Sequence, residues 1–143
     1  MTPLQVAITQ LDIKEEPIGS NWGKDVKKYL NSVGINFPAS WCAAFVYWCF
    51  KTADPATKLT KTGGVLNMWN KTPLANRHST PAVGDIFILD YGKGLGHTGI
   101  VERVENGMIW TIEGNTNDTG AREGFEVCRR RRVASKCKGF IRL

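Results

Sequence analysis

Apolar residues recur with a helical period through the first half of the chain and with a strand period through the second. Leu4, Ala7, Ile8 and Leu11 fall at i, i+3, i+4 and i+7, which predicts an amphipathic helix over residues 3–11. Thr2 as N-cap, Pro3 at the first helical position and Gln5 closing a capping box set its start. Val26, Tyr29, Leu30 and Val33 repeat the spacing, with Ser20 or Asn21 ahead of them and Gly34 as a stop. A third helix opens near Cys42, with Ser40 as its expected N-cap and Pro38 blocking an earlier start. Trp41, Phe45, Trp48 and Phe50 make this helix apolar nearly all round, as a central core helix should be. A short helix around Val65–Asn70 follows a loop over 54–64.

The period then changes. Residues 72–81 are polar and turn-rich, a loop or lid candidate holding His78, which reads as an exposed surface histidine. Strands are predicted at Ile86–Leu89, Thr98–Val101, Met108–Ile112, near Phe125–Val133 and at Gly139–Leu143. Helices first and strands after give an α+β fold, with N-terminal helices packed on a C-terminal antiparallel β-sheet. No linker or internal repeat divides the chain, so residues 1–143 read as one domain.

Glu105-Asn106-Gly107 is a hairpin signal, and its length decides what meets what. A two-residue loop would place Ile100 opposite Glu113 and turn that carboxylate away from His97. A three-residue loop with Gly107 left-handed shifts the register by one. His97 then faces Asn115, Glu113 is its diagonal neighbour, and all three share a face. The other face collects Ile100, Val104, Met108, Trp110 and Ile112 as a core surface, so the apolar pattern favours this second register.

That register gives Cys42 partners. A thiol in the first turn of a helix is favoured as thiolate by unpaired N–H groups and the helix dipole. With His97 as base and Glu113 or Asn115 orienting the imidazole, the set suits acyl transfer to water through a thioester, without a cofactor. Cys49, on the same helix, reads as a buried core thiol. Cys128 and Cys137 are open to two readings, a disulfide or free thiols.

These residues carry a resemblance. Ser40-Trp41-Cys42-Ala43-Ala44-Phe45-Val46, Pro81-Ala82-Val83-Gly84-Asp85-Ile86, Gly96-His97-Thr98-Gly99-Ile100-Val101 and Ile112-Glu113-Gly114-Asn115-Thr116 resemble the CHAP family. These are cysteine, histidine-dependent amidohydrolases/peptidases related to NlpC/P60 and papain-like enzymes. Gly19-Ser20-Asn21-Trp22-Gly23 is similar to the segment that leads into that family's second helix. The resemblance implies a papain-like fold and a peptidoglycan substrate, cut at the muramoyl–L-alanine amide or at a peptide bond of the stem or cross-bridge. It implies catalytic roles for Cys42, His97, Glu113 and Asn115. Some members bind calcium through an aspartate cluster near the nucleophile helix; no such cluster stands here, so no metal is expected.

Composition adjusts the picture modestly. A net charge of +6 favours anionic partners such as wall polymers. Arg129-Arg130-Arg131-Arg132 reads first as a charged edge strand whose arginines alternate between faces, second as an attraction to an anionic wall, and last as an RNA contact. No nucleic acid partner and no membrane span are expected. Gly92-Lys93-Gly94-Leu95-Gly96 reads as a flexible lip beside His97 rather than a phosphate loop, because a strand follows it. Trp22, Trp69 and Trp110 are expected in the core, with Trp69 or Tyr91 as candidates for lining a groove. No signal peptide is read at the N-terminus, so a monomeric wall hydrolase would reach its substrate by lysis, by a secretion system or within a longer parent. In the secreted case an immunity protein would be its partner. A cysteine amidase, deamidase or protease acting on a protein is the competing activity, and a non-enzymatic wall-binding module is a third reading.

Overall fold

The computed structural model describes residues 1–116 and 124–143. Four helices come first: α1 (Pro3–Ile8), α2 (Lys24–Ser32), α3 (Cys42–Ala53) and α4 (Val65–Lys71). Six strands follow: β1 (Arg77–His78), β2 (Ile86–Gly92), β3 (Leu95–Glu105), β4 (Met108–Thr116), β5 (Glu126–Val133) and β6 (Gly139–Ile141). They form one antiparallel sheet in the order β1-β6-β2-β3-β4-β5. The fold is α+β, with the helices N-terminal and the strands C-terminal.

The helix starts show where side chains do and do not set boundaries. Thr2 and Gln5 form the expected reciprocal capping box on α1. α1 nevertheless ends at Ile8, because the Thr9 hydroxyl turns back onto the Val6 carbonyl and the chain leaves in tight turns. Neither Ser20 nor Asn21 caps α2. Ser20 instead bonds the Pro17 carbonyl and receives the Trp22 N–H, and Gly23 takes the cap position. Trp41, not Ser40, is the N-cap of α3, and no side chain caps this helix.

One sheet face packs on the helices, with Ile86, Ile88, Ile100, Ile112, Val127 and Ile141 meeting the α1–α4 core. The other carries a smaller apolar cluster of Phe87, Leu89, Val101, Ile109 and Phe140. Tyr29 of α2 binds the helical layer together, stacking on Trp41 at 5.6 Å and meeting Phe45 edge-on at 5.2 Å. Its buried hydroxyl donates to Gln10 at 2.6 Å.

The β3–β4 hairpin differs from the expected one and arrives at the same register. Glu105 pairs with Met108, so the loop is the two residues Asn106-Gly107, both with positive φ (51° and 76°) as a type I′ turn requires. A bulge at Glu102 then shifts the pairing by one, so that Ile100 faces Ile112. Beyond the bulge the expected core face fails. Val104 and Met108 lie at the sheet's end, and Trp110 is half-buried under the Arg103 guanidinium (4.2 Å) instead of in the core. Trp22 and Trp69 pack on the core's margin.

Three more expectations change. Part of the 72–81 segment is ordered sheet: β1 pairs with β6, and His78 is half-buried with Nδ1 3.4 Å from Arg142. Residues 92–96 are no free lip but the turn of a β2–β3 hairpin, with Gly96 paired to Asp90. All four cysteines are free thiols. The basic run does lie on the edge strand β5. Arg129 is paired to Glu102, and Arg132 is on the other face. Arg122, part of the basic C-terminal third, lies outside the described residues.

Gly114 is where helix and sheet meet most closely. A Cβ there would stand 2.7 Å from the Trp41 ring and 2.8 Å from Phe45 Cβ. Gly114→Ala is therefore expected to destabilise the fold by about 1–3 kcal/mol through overpacking. Chemical denaturation would show this as a lower midpoint with an unchanged slope.

Candidate active site

Cys42 is the first residue of α3 and is 3 % exposed. The first intrahelical bond of α3 runs from Phe45 N–H to the Trp41 carbonyl, so the amides of Cys42, Ala43 and Ala44 have no partner within the helix. Their N–H groups and the helix dipole present partial positive charge beside the thiol. The indole of Trp41 is spoken for, since its Nε1–H donates to Glu15 Oε2 at 2.7 Å. Glu15 is itself buried and takes the Gly19 N–H at 2.9 Å on its other oxygen. This second carboxylate ties the 15–22 loop to the residue preceding the thiol.

His97 lies on β3 and Glu113 on β4, both fully buried. His97 Nε2 and Glu113 Oε1 are 2.8 Å apart. Gly99 makes the approach possible, because a Cβ there would fall 2.7 Å from Glu113 Cγ and 2.7 Å from the Phe87 ring. With Nε2 taken, Nδ1 is the ring atom left for a thiol. It is buried and makes no well-formed hydrogen bond, and Cys42 is close enough to act on the ring. Burial disfavours the imidazolium, but Cys42 and Glu113 outweigh burial and raise the His97 pKa above its ordinary value.

Glu113 has more donors than an orienting group needs. Oε2 accepts from the Thr111 hydroxyl at 2.6 Å and from Arg132 Nε at 2.5 Å, while Oε1 accepts from Arg132 Nη2 at 2.7 Å. Burial pushes the carboxyl up, and the bonds from Arg132 and His97 more than reverse this, holding it well below the ordinary carboxylate range. Glu113 is thus an anion inside the protein, paired with one permanent cation and one switchable one.

Sequence reasoning did not single out Arg132 from its run. Its side chain is only 15 % exposed, and its guanidinium also lies over the Phe87 ring at 5.6 Å. The usable signal was alternation: the β4–β5 register puts Cys128 opposite Glu113, and Arg130 and Arg132 follow on the same face.

Asn115 is fully buried at the same end of β4, one residue past Gly114, with its backbone left-handed at φ 56°. The β3–β4 pairs begin at Ile100–Ile112, so Asn115 is not the ladder partner of His97 that the register suggested. The contact to Nε2 is made by Glu113. Cys49 is sealed in the core, where burial pushes its thiol pKa far up. Among the described residues no three His, Cys, Asp or Glu side chains gather as a metal-binding group. No helix among them is long and apolar enough to cross a membrane.

The arrangement holds a thiol at a helix N-terminus, an imidazole with one nitrogen fixed, and a buried anion behind it. It can lower the cost of a thiolate–imidazolium pair and hand a proton to a leaving group. Residues 33–115, more than half of the chain, match the family model of the CHAP domain. Searches of curated proteins and of solved structures return no match. Arg132 lies outside the matched span.

The electrostatics can be read by titration. The chain has two histidines, so His97 is resolved by NMR once His78 is assigned. Glu113→Gln removes an anion that favours the imidazolium, and the His97 pKa is expected to fall by about one unit, or about 1.4 kcal/mol. Arg132→Gln is expected to raise the pKa of Glu113, followed at its carboxyl carbon. An unmoved His97 in the first variant would show that the pair is not electrostatically coupled.

Proposed function

The chain belongs to the CHAP family of cysteine- and histidine-dependent amidohydrolases/peptidases, and from that premise we propose that it is a peptidoglycan hydrolase that cleaves an amide bond through a cysteine thioester. The observation that carries this reading is the convergence of the Cys42 thiol, at the N-terminus of α3, on the imidazole that Glu113 holds by Nε2.

In this mechanism the Cys42 thiol gives its proton to His97 Nδ1, and Sγ attacks the scissile carbonyl carbon. The negative charge that develops on the carbonyl oxygen is met by the Cys42 amide, one of the first-turn N–H groups that α3 leaves unpaired. Collapse of the tetrahedral intermediate breaks the C–N bond as His97 Nδ1–H protonates the departing amine. A water then enters, gives a proton to the same nitrogen and attacks the thioester carbonyl. Breakdown releases the acid and returns the proton to sulfur. Through both halves Glu113 keeps Nε2 protonated and compensates the imidazolium. Asn115 is assigned a supporting role at the end of β4, where it bounds the site.

The whole described chain would serve as one catalytic domain, acting as a monomer in the cell wall or periplasm. Its positive charge of +6 suits an anionic polymer. If it is a secreted effector, an immunity protein would be its partner.

Digestion of purified sacculi, read by mass spectrometry, tests the proposal and names the bond. New amino groups and defined muropeptide fragments are expected from the wild type, with none above background from Cys42→Ala. His97→Ala is expected to lose roughly 10²–10⁴-fold in rate. Full lysis by Cys42→Ala would overturn the mechanism. Cleavage or deamidation of a protein alongside intact sacculi would replace the substrate.

The pH profile gives a second test, with the sign set by His97. Its raised pKa keeps the imidazolium to higher pH than for a free histidine, so the basic limb of kcat/KM should lie above pH 6.5. Glu113→Gln should move that limb to lower pH. A limb that stays in place would mean that another group controls it.

A further inference from the structure

Two buried carboxylates lie outside the mechanism above, Asp85 and Glu15. Asp85 is matched by the Arg142 guanidinium, which grips both its oxygens. Among the described residues no Lys, Arg or His pairs with Glu15. Its oxygens instead take two N–H groups, the Trp41 indole on Oε2 at 2.7 Å and the Gly19 amide on Oε1 at 2.9 Å. Burying a carboxylate without a counter-ion is costly, and one indole N–H needs only a neutral acceptor. What the carboxylate adds is a second acceptor. A glutamine has one acceptor oxygen, and its NH2 would stand against either Trp41 or Gly19.

The main chain around Glu15 is itself anchored to the sheet. Asp12 N–H donates to the Val127 carbonyl at 3.0 Å, Val127 N–H to Ile13 at 2.9 Å and Glu15 N–H to Phe125 at 2.9 Å. On the other side Glu16 N–H reaches the Trp22 carbonyl at 2.8 Å and closes the loop that holds Gly19. Gly23 permits this closure, since a Cβ there would fall 2.8 Å from the Glu16 nitrogen. Glu15 is thus a fixed point carried by the start of β5.

Trp41 passes that fixity on to the thiol. It directly precedes Cys42, and its carbonyl takes the first bond of α3, from Phe45 N–H at 2.9 Å. Stacking on Tyr29 sets the plane of the indole, and contact with Gly114 sets how near it comes to β4. Neither contact is directional enough to stop the ring sliding within its plane. The Nε1–H bond to Glu15 removes that freedom.

We propose that Glu15 is a positioning residue for the nucleophile: through the Trp41 indole it fixes the first turn of α3 and so holds the Cys42 sulfur against His97. The proposal rests on the thiol–imidazole reading of the site and does not depend on which bond or substrate is cut. It makes a carboxylate remote from the chemistry responsible for the approach of the reacting atoms, to which rates are steeply sensitive.

Iodoacetamide reads the Cys42 thiol without a substrate, and peptide mass spectrometry separates it from the other three free thiols. Glu15→Gln is expected to slow Cys42 alkylation at pH 7 about tenfold. Loss of a negative charge would by itself favour a thiolate and speed the reaction, so slowing marks a geometrical effect. Val26→Ala, a truncation in the buried face of α2, should lower the denaturation midpoint and leave the alkylation rate within about twofold. Trp41→Phe breaks the same bond from its other end, and it carries the test if Glu15→Gln does not fold. The double variant should react no more slowly than the slower single one, because both substitutions remove one contact.

Alkylation at the wild-type rate in Glu15→Gln, or in Trp41→Phe in its place, would overturn the proposal. Equal slowing in Val26→Ala, or losses that multiply in the double variant, would also overturn it. With a muropeptide that is cleaved, Glu15→Gln should lower kcat and leave KM unchanged. Slowed alkylation in a chain that leaves sacculi intact would sustain the positioning role and remove the hydrolase reading alone.

Discussion

A carboxylate with no exposure to water costs several kcal/mol unless fixed donors replace its hydration. Glu113 is such a group, and four bonds meet it: His97 Nε2, the Thr111 hydroxyl, and Nε and Nη2 of Arg132. These partners come from β3, β4 and β5, so the same anion that orients the imidazole also ties three neighbouring strands. Gly99 leaves the space for it, and the bulge at Glu102 provides the register. Removing Arg132 would leave the carboxylate in the interior without its permanent cation, which is why β4 and β5 tolerate little displacement around this side chain.

The second half of the site is set from the helical layer. Trp41 is sandwiched by Tyr29, pressed on Gly114 and fixed through its indole to the buried Glu15. Those three contacts decide where α3 begins, and with it the position of Cys42, without any side-chain cap. The two cysteines of α3 show how much this placement matters. Both are buried, yet Cys42 stands against an imidazole and open first-turn amides, while Cys49 is enclosed by apolar side chains that push its thiol pKa up.

The register was legible for a reason the structure revises. The apolar pattern asked Ile100 and Ile112 to share the core face, and they do. A three-residue loop was the simplest way to satisfy that pattern. The chain instead uses a tight Asn106-Gly107 turn and moves the extra residue to Glu102, whose carboxylate then takes Arg129. Both solutions insert one residue, and only the position of the insertion differs. The consequence falls on the hairpin's outer end, where Trp110 leaves the core and stacks under Arg103.

By itself the sequence determined the alternation of helix and strand, the helical setting of Cys42, and the face on which His97 and Glu113 meet, since each follows from periodicity or short-range spacing. It also carried the family, whose matched span runs from residue 33 to 115. Only the tertiary structure decided that Arg132 closes on Glu113 and that Glu15 fixes Trp41. The reason is physical. Each of these contacts joins residues far apart in the chain, and within a run of four arginines no local rule distinguishes the one that folding buries from those left in water.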